Sequence, residues 1–218
     1  MTKTLGKTTL VSRIVDHLRS QTAASKRPVL FFYFKHHEET KKSMDGMLRA
    51  ILVQLLHQDN VLVEHFYQKC FSNSTSGTMT LSALKELALE SLKSQKYCLI
   101  ILDGLDECGD GLNARHEESK GIIEWFKESV IPKSHSEGGH IRLLLAGQRD
   151  GVLDQHLRAY PVIKLDAADA HLHDIRDYAV SRASEIRRRF SLSYENQTEI
   201  INRVTATSKG EYGILLNV

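Results

Sequence analysis

Apolar and polar positions fall along the chain in blocks that predict strands joined by helices. The block around which the rest is organised is Tyr97 to Leu102, six apolar or aromatic residues that stop at Asp103. Such an unbroken run is the pattern of a parallel strand buried on both faces. Val29 to Phe34, just after Arg27-Pro28, reads the same way, as does Ile141 to Ala146, interrupted only by Arg142. Val162 to Leu165 follows Pro161 as a last short strand. Between them the period changes to that of helices. Leu10, Ile14 and Leu18 repeat with Val11 and Val15 beside them, and Met44 to Leu56 carries Met47, Leu48, Ile51, Leu52 and Leu55 on one face. Thr80 to Lys93 does so with Leu84, Leu87 and Leu92. Val61 to Phe71 continues helical, ahead of a surface loop from Ser72 to Gly77. Past Cys108 the pattern predicts a polar, glycine-containing loop, then a short helix Ile122 to Val130 ended by Pro132, then a solvated loop Lys133 to Gly139. From His171 onward the remainder reads as helical. Helical connections between apolar runs mean parallel strands and an α/β fold.

Candidate chemistry sits where the strands end. Asp103 closes the central apolar run, at the edge where α/β sheets bind ligands, and its carboxylate is the hard oxygen donor that a phosphate-bound magnesium ion takes. Gly104 allows a sharp turn, and Asp106 with Glu107 brings two more carboxylates to the same place, where one could orient a water for attack on a phosphate. The plain alternative is a core strand that ends in an acidic turn. At the start of the chain, Gly6-Lys7-Thr8-Thr9 precedes the first helical pattern and matches the second half of a phosphate-binding P-loop. In that motif glycines let backbone N–H groups cradle phosphate, the lysine neutralises the terminal phosphates, and the hydroxyl residue holds magnesium at a helix N-terminus. Lys7 and Thr8 fit the last two roles, and the two motifs together point to an NTPase. Counting back, the first glycine of the loop falls at Met1. The strand that feeds the loop is therefore expected to be missing, by truncation or as a remnant with weakened nucleotide binding.

Composition narrows the classes. At 218 residues the chain can bury a sizeable core, and a net charge of +2, with no basic stripe interleaved with aromatics, speaks against nucleic acid or a membrane surface as the main partner. Arg187 to Arg189 closes a helical stretch, where cations suit the helix dipole. Cys70, Cys98 and Cys108 form no C-x-x-C pair and are odd in number, which argues against a disulfide framework and fits a reducing cytoplasm. No apolar run is long enough to span a membrane and the start lacks a signal-peptide centre. The eleven histidines do not fall at metal-ligand spacing, since His36-His37 point apart on a strand and His171-x-His173 is not a same-face helical pair.

The segments GKTTLVSRIVDHL, VLFFYFKH, CLIILDGLDEC and IRLLLAGQRD, in that order, resemble a NACHT domain of the STAND class of P-loop ATPases, in its nephrocystin-like form common in large fungal signalling proteins. The resemblance implies a three-layer sandwich around a mostly parallel sheet ordered 5-1-4-3-2, counted from the P-loop strand and with that first strand missing, followed by C-terminal helices. It divides the chain into a nucleotide-binding core, 1–166, and a helical extension, 167–218, that stops before any winged helix or repeats. The cofactors it implies are ATP and Mg2+. Residue by residue, Gly6, Lys7, Thr8 and Thr9 match the phosphate loop, Thr8 and Asp103 the magnesium ligands, Asp106 and Glu107 the acidic pair, and Arg149 the sensor arginine. An arginine at the end of the strand beside Asp103 can grip a terminal phosphate bidentately, or make a surface salt bridge instead.

Two functions follow as expectations. The first is a cytoplasmic switch that binds ATP with magnesium and hydrolyses it slowly, read by other protein domains or like subunits. The second is a nucleotide-free interaction module that acts only by packing on a full-length relative. A GTPase is disfavoured, because Ile163-Lys164-Leu165-Asp166 lacks the asparagine of the guanine-reading motif.

Overall fold

The central apolar run forms strand β2 (Tyr97–Asp103), flanked by parallel neighbours on both sides. The computed structural model describes residues 7–22, 27–58, 63–64, 66, 79–136, 138–147, 155–164, 169–207 and 214–217. On one side lies β1 (Val29–Tyr33), with Val29 opposite Leu99 and Tyr33 opposite Asp103. On the other lies β3 (His140–Gly147), with His140 opposite Tyr97 and Ala146 opposite Asp103. The register therefore sets Tyr33, Asp103 and Ala146 side by side at the carboxyl edge of the sheet.

Successive side chains of a strand point to opposite faces, so β2 needs cover on both, and helices supply it. Helix α1 (Lys7–Thr22) packs Val11 and Val15 against Val29, Ile101 and Ala146. On the opposite face, α2 (Met44–Gln58) and α3 (Leu81–Lys93) bury Met47, Leu48, Ile51, Leu84, Leu87 and Leu92 against Leu30, Ile100 and Leu102. The start of α3 is set by Thr80, whose hydroxyl accepts a hydrogen bond from the Ala83 N–H at 3.3 Å and satisfies a donor the helix cannot. Of the predicted helix Val61 to Phe71 only residues 63, 64 and 66 are described, and they are helical; the loop Ser72 to Gly77 lies outside the described residues.

Two expectations need correction. The stretch after Cys108 is not a loop followed by a short helix. Helix α4 (Gly111–Glu124) begins almost at once, passes through a widened turn at Trp125–Val130, and continues as α5 (Ile131–Ser136). The Ile131 N–H bonds to the Phe126 carbonyl, five residues back. Pro132, which has no N–H to give, thus falls at the start of a new segment instead of ending the old one. The widened turn also carries Trp125, Phe126 and Val130 into the larger core. Where a solvated loop was expected, Ser134 is fully buried.

The second correction concerns the end of the chain. Helices α6 (Asp169–Phe190) and α7 (Tyr194–Thr207) form as expected and pack on each other. Residues Ile214–Asn217, however, are a strand, β5, and not helix. It lies between β3 and β4 (Val162–Lys164), antiparallel to both, with Leu215 opposite Ala146 and Leu216 opposite Val162. The sheet runs β1-β2-β3-β5-β4. The position that the resemblance assigned to the strand before the phosphate loop is filled from the other end of the chain and in the opposite direction. The edges of β3 and β4 that face that position are thereby paired. An apolar run as short as Ile214-Leu215-Leu216 does not reveal its own period, and the available sheet edges decide its conformation.

Candidate functional site

The site is built from the end of β2 and the start of α1. Backbone hydrogen bonds fix the strand end on both sides: the Phe34 N–H donates to the Asp103 carbonyl at 2.8 Å, and the Gly104 N–H donates to the Ala146 carbonyl at 2.9 Å. Gly104 then turns the chain with φ of +75°, and a Cβ there would lie 2.9 Å from the Phe34 carbonyl oxygen. Glycine is required both by the left-handed backbone and by the closeness of β1. A single 3₁₀ turn follows, Leu105–Glu107, closed by the Glu107 N–H to the Gly104 carbonyl at 2.7 Å. Leu105 is fully buried and anchors the turn, while Asp106 and Glu107 stand at the strand end.

Burial of Val11 and Val15 holds α1 so that its first residue, Lys7, reaches this turn. Lys7 Nζ lies 3.4 Å from Asp106 Oδ1, with the two side chains only 4% and 11% exposed. The residues are 99 positions apart in the chain. Asp103 is 2% exposed and its Oδ1 has no hydrogen-bond partner among the described residues. Burial, reinforced by Asp106 and Glu107, pushes its carboxyl above the ordinary range, while the Thr8 hydroxyl and the Lys7 ammonium pull it back down. A buried carboxylate oxygen without a partner is costly, and a hard cation bound there would relieve it. The first turn of α1 carries no acidic residue, so its positive end is left without a carboxylate of its own.

Lys7, Asp103, Asp106 and Thr8 come together; Thr9 is exposed on the first turn of α1 and Glu107 is exposed at the end of the acidic turn. Gly6 and Arg149 lie outside the described residues. Among the described residues no group of three or more His, Cys, Asp or Glu side chains is gathered as a metal cluster. A magnesium ion here would take Thr8 and Asp103 as protein ligands and draw its other oxygens from phosphate and water.

Sequence reasoning missed the bracing around the site. Lys42 Nζ bonds both Glu39 at 2.6 Å and Asp110 at 2.5 Å, and the Gly109 N–H donates to the Lys42 carbonyl at 2.6 Å, which ties the segment after the acidic turn to the one after β1. The Met44 N–H at the start of α2 donates to Glu118 Oε1 of α4 at 2.6 Å. Tyr33, read only as a strand residue, stands opposite Asp103, and its phenol is raised by burial with help from Asp103. Register alone brings it there, so nothing in its local sequence marks it. Cys108 is buried beside Ser119 Oγ at 3.3 Å, and burial pushes its thiol up to about 11. Cys98 is pushed up to about 12 in the same way. Neither is a thiolate at neutral pH, so neither is a ready nucleophile.

Helices on both faces of a largely parallel sheet, with a buried carboxylate and a lysine meeting at its carboxyl edge, define an α/β protein with its candidate site where that class binds ligands. The family described as Nephrocystin 3, N-terminal, matches residues 3–148, and the chain belongs to it. The matched span includes α1, the acidic turn and all of β3. No curated protein and no solved structure matches the chain. No helix among the described residues is long and apolar enough to cross a membrane.

Proposed function

We propose that the chain is a NACHT-type P-loop module that binds ATP with magnesium and hydrolyses it slowly as a switch. The observation that supports this most is the convergence of Lys7 and Thr8, at the head of α1, with Asp106 and with the buried Asp103 at the end of the central strand, whose Oδ1 has no partner among the described residues. In this reading the Lys7 ammonium neutralises the terminal phosphates and the Thr8 hydroxyl and Asp103 hold magnesium. Asp106 or Glu107 orients the attacking water, and Gly6, Thr9 and Arg149 contribute as the resemblance implies. Loss of the γ-phosphate would release the loops it ties together, a change for other protein domains or like subunits to read. A nucleotide-free interaction module is the second reading, favoured by the Lys7–Asp106 pair, which neutralises the lysine without any ligand.

Titration calorimetry with ATP and magnesium tests both. Lys7→Ala should abolish binding that the parent chain shows, because the terminal phosphates lose their point charge in a partly desolvated cradle. Equal affinity in the two would reject the P-loop assignment, and no binding by the parent chain would favour the second reading.

A further inference from the structure

Lys7 has a resident anion. Its ammonium is nearly buried, so it needs a negative partner when no ligand is present. The two carboxylates at hand are not equivalent: Asp106 Oδ1 lies 3.4 Å from Lys7 Nζ, whereas Asp103 Oδ1 has no partner among the described residues. A terminal phosphate bound to Lys7 would bring a second anion into contact with Asp106. Two like charges in so desolvated a place repel, so the two anions compete for one cation. The geometry points to Asp106 as the residue that sets the affinity of this site: it holds Lys7 in the ligand-free state and is displaced when phosphate arrives. This inference rests on the phosphate-binding reading above and assigns Asp106 a role before any chemistry.

The surroundings confine the movement to that side chain. Leu105 and Cys108 on either side are fully buried, and Gly104 is clamped to β3 through its N–H to the Ala146 carbonyl. Asp106 therefore turns away from Lys7 while the backbone of the turn stays in place. Phosphate binding is then an exchange of anions on Lys7, and the Asp106 carboxylate leaves the ammonium only with that exchange.

Calorimetric titration of the full chain with ATP and magnesium, at low ionic strength, tests this with Asp106→Asn, Asp106→Ser and, for net charge alone, Glu86→Gln on the exposed face of α3. Both Asp106 variants should bind about tenfold more tightly than the parent, an increase equal to ~1.4 kcal/mol. Without ligand they should melt at a lower temperature, and saturating ATP with magnesium should raise their melting temperature by more than it raises the parent's. That pairing separates a displaced anion from a merely structural residue, whose loss lowers both. Unchanged or weaker binding by both Asp106 variants, where Lys7→Ala abolishes binding, overturns the exchange and leaves the phosphate site standing. An equal gain from Glu86→Gln overturns it as well, because the effect would then be one of net charge. If Lys7→Ala binds as the parent does, the phosphate reading falls and takes the exchange with it.

Discussion

The two faces of the sheet are built very differently. One is covered by α2, α3 and the α4–α5 segment, whose buried side chains merge with those of all three parallel strands into a single large cluster. The other, among the described residues, is covered by α1, with Val11 and Val15 on Val29, Ile101 and Ala146. The helix of the small face carries Lys7 and Thr8 to the sheet edge. The fold's stability thus resides mainly on one side and its candidate chemistry depends on the other. Changes on the two faces should separate in their effects, and this is open to test.

The largest effect is expected on the large face. Phe126 is fully buried at the widened turn, and Phe126→Ala should cost ~3–5 kcal/mol, which chemical denaturation would measure. A loss under ~1 kcal/mol would mean that the turn is not part of the core. Next comes Gly104→Ala. The left-handed backbone alone costs ~1–2 kcal/mol with a Cβ, and the Phe34 carbonyl 2.9 Å away adds strain. Unlike Phe126→Ala, it should also displace the acidic turn, so any residual ATP binding should fall further than stability predicts.

On the small face the order reverses. Val15→Ala should cost only ~1–2 kcal/mol, yet weaken proposed ATP binding several-fold by loosening α1 under Lys7. Ile51→Val on the large face, of comparable cost at ~0.5–1.5 kcal/mol, should leave affinity unchanged. Equal affinity losses in the two would break the division between the faces.

The smallest effect has the opposite sign. Asp103 is raised by burial, so the folded state holds its proton more tightly than the unfolded chain does. The ligand-free protein therefore loses stability as pH rises from the ordinary carboxylate range through the folded value, and its charged form is a liability above that window. Asp103→Asn should remove the liability and raise the melting temperature at neutral pH by about 2–4 °C for each kcal/mol recovered. The same change should weaken magnesium-dependent binding. A lower melting temperature at neutral pH would show that the Asp103 charge is compensated more fully than its unpartnered oxygen indicates.

What the sequence determined by itself was local and periodic. Cys98 to Leu102 spelled a buried strand because an unbroken apolar run leaves no polar face, although Tyr97 at its start stays exposed, and Leu84, Leu87 and Leu92 announced their helix by their spacing. Asp103, Lys7 and Thr8 were legible as candidates because each belongs to a short motif whose own residues lie within a few positions of one another along the chain. The tertiary structure decided everything that depends on distance through space. It set Lys7 against Asp106 rather than Asp103, brought Tyr33 level with Asp103 through strand register, and tied Lys42 to Asp110 across the segments that brace the turn. It carried the chain through Pro132 because a widened turn had already interrupted the hydrogen-bond ladder. It also made Ile214–Asn217 a strand, since four residues have no period of their own and the neighbouring edges of β3 and β4 offered them backbone hydrogen bonds.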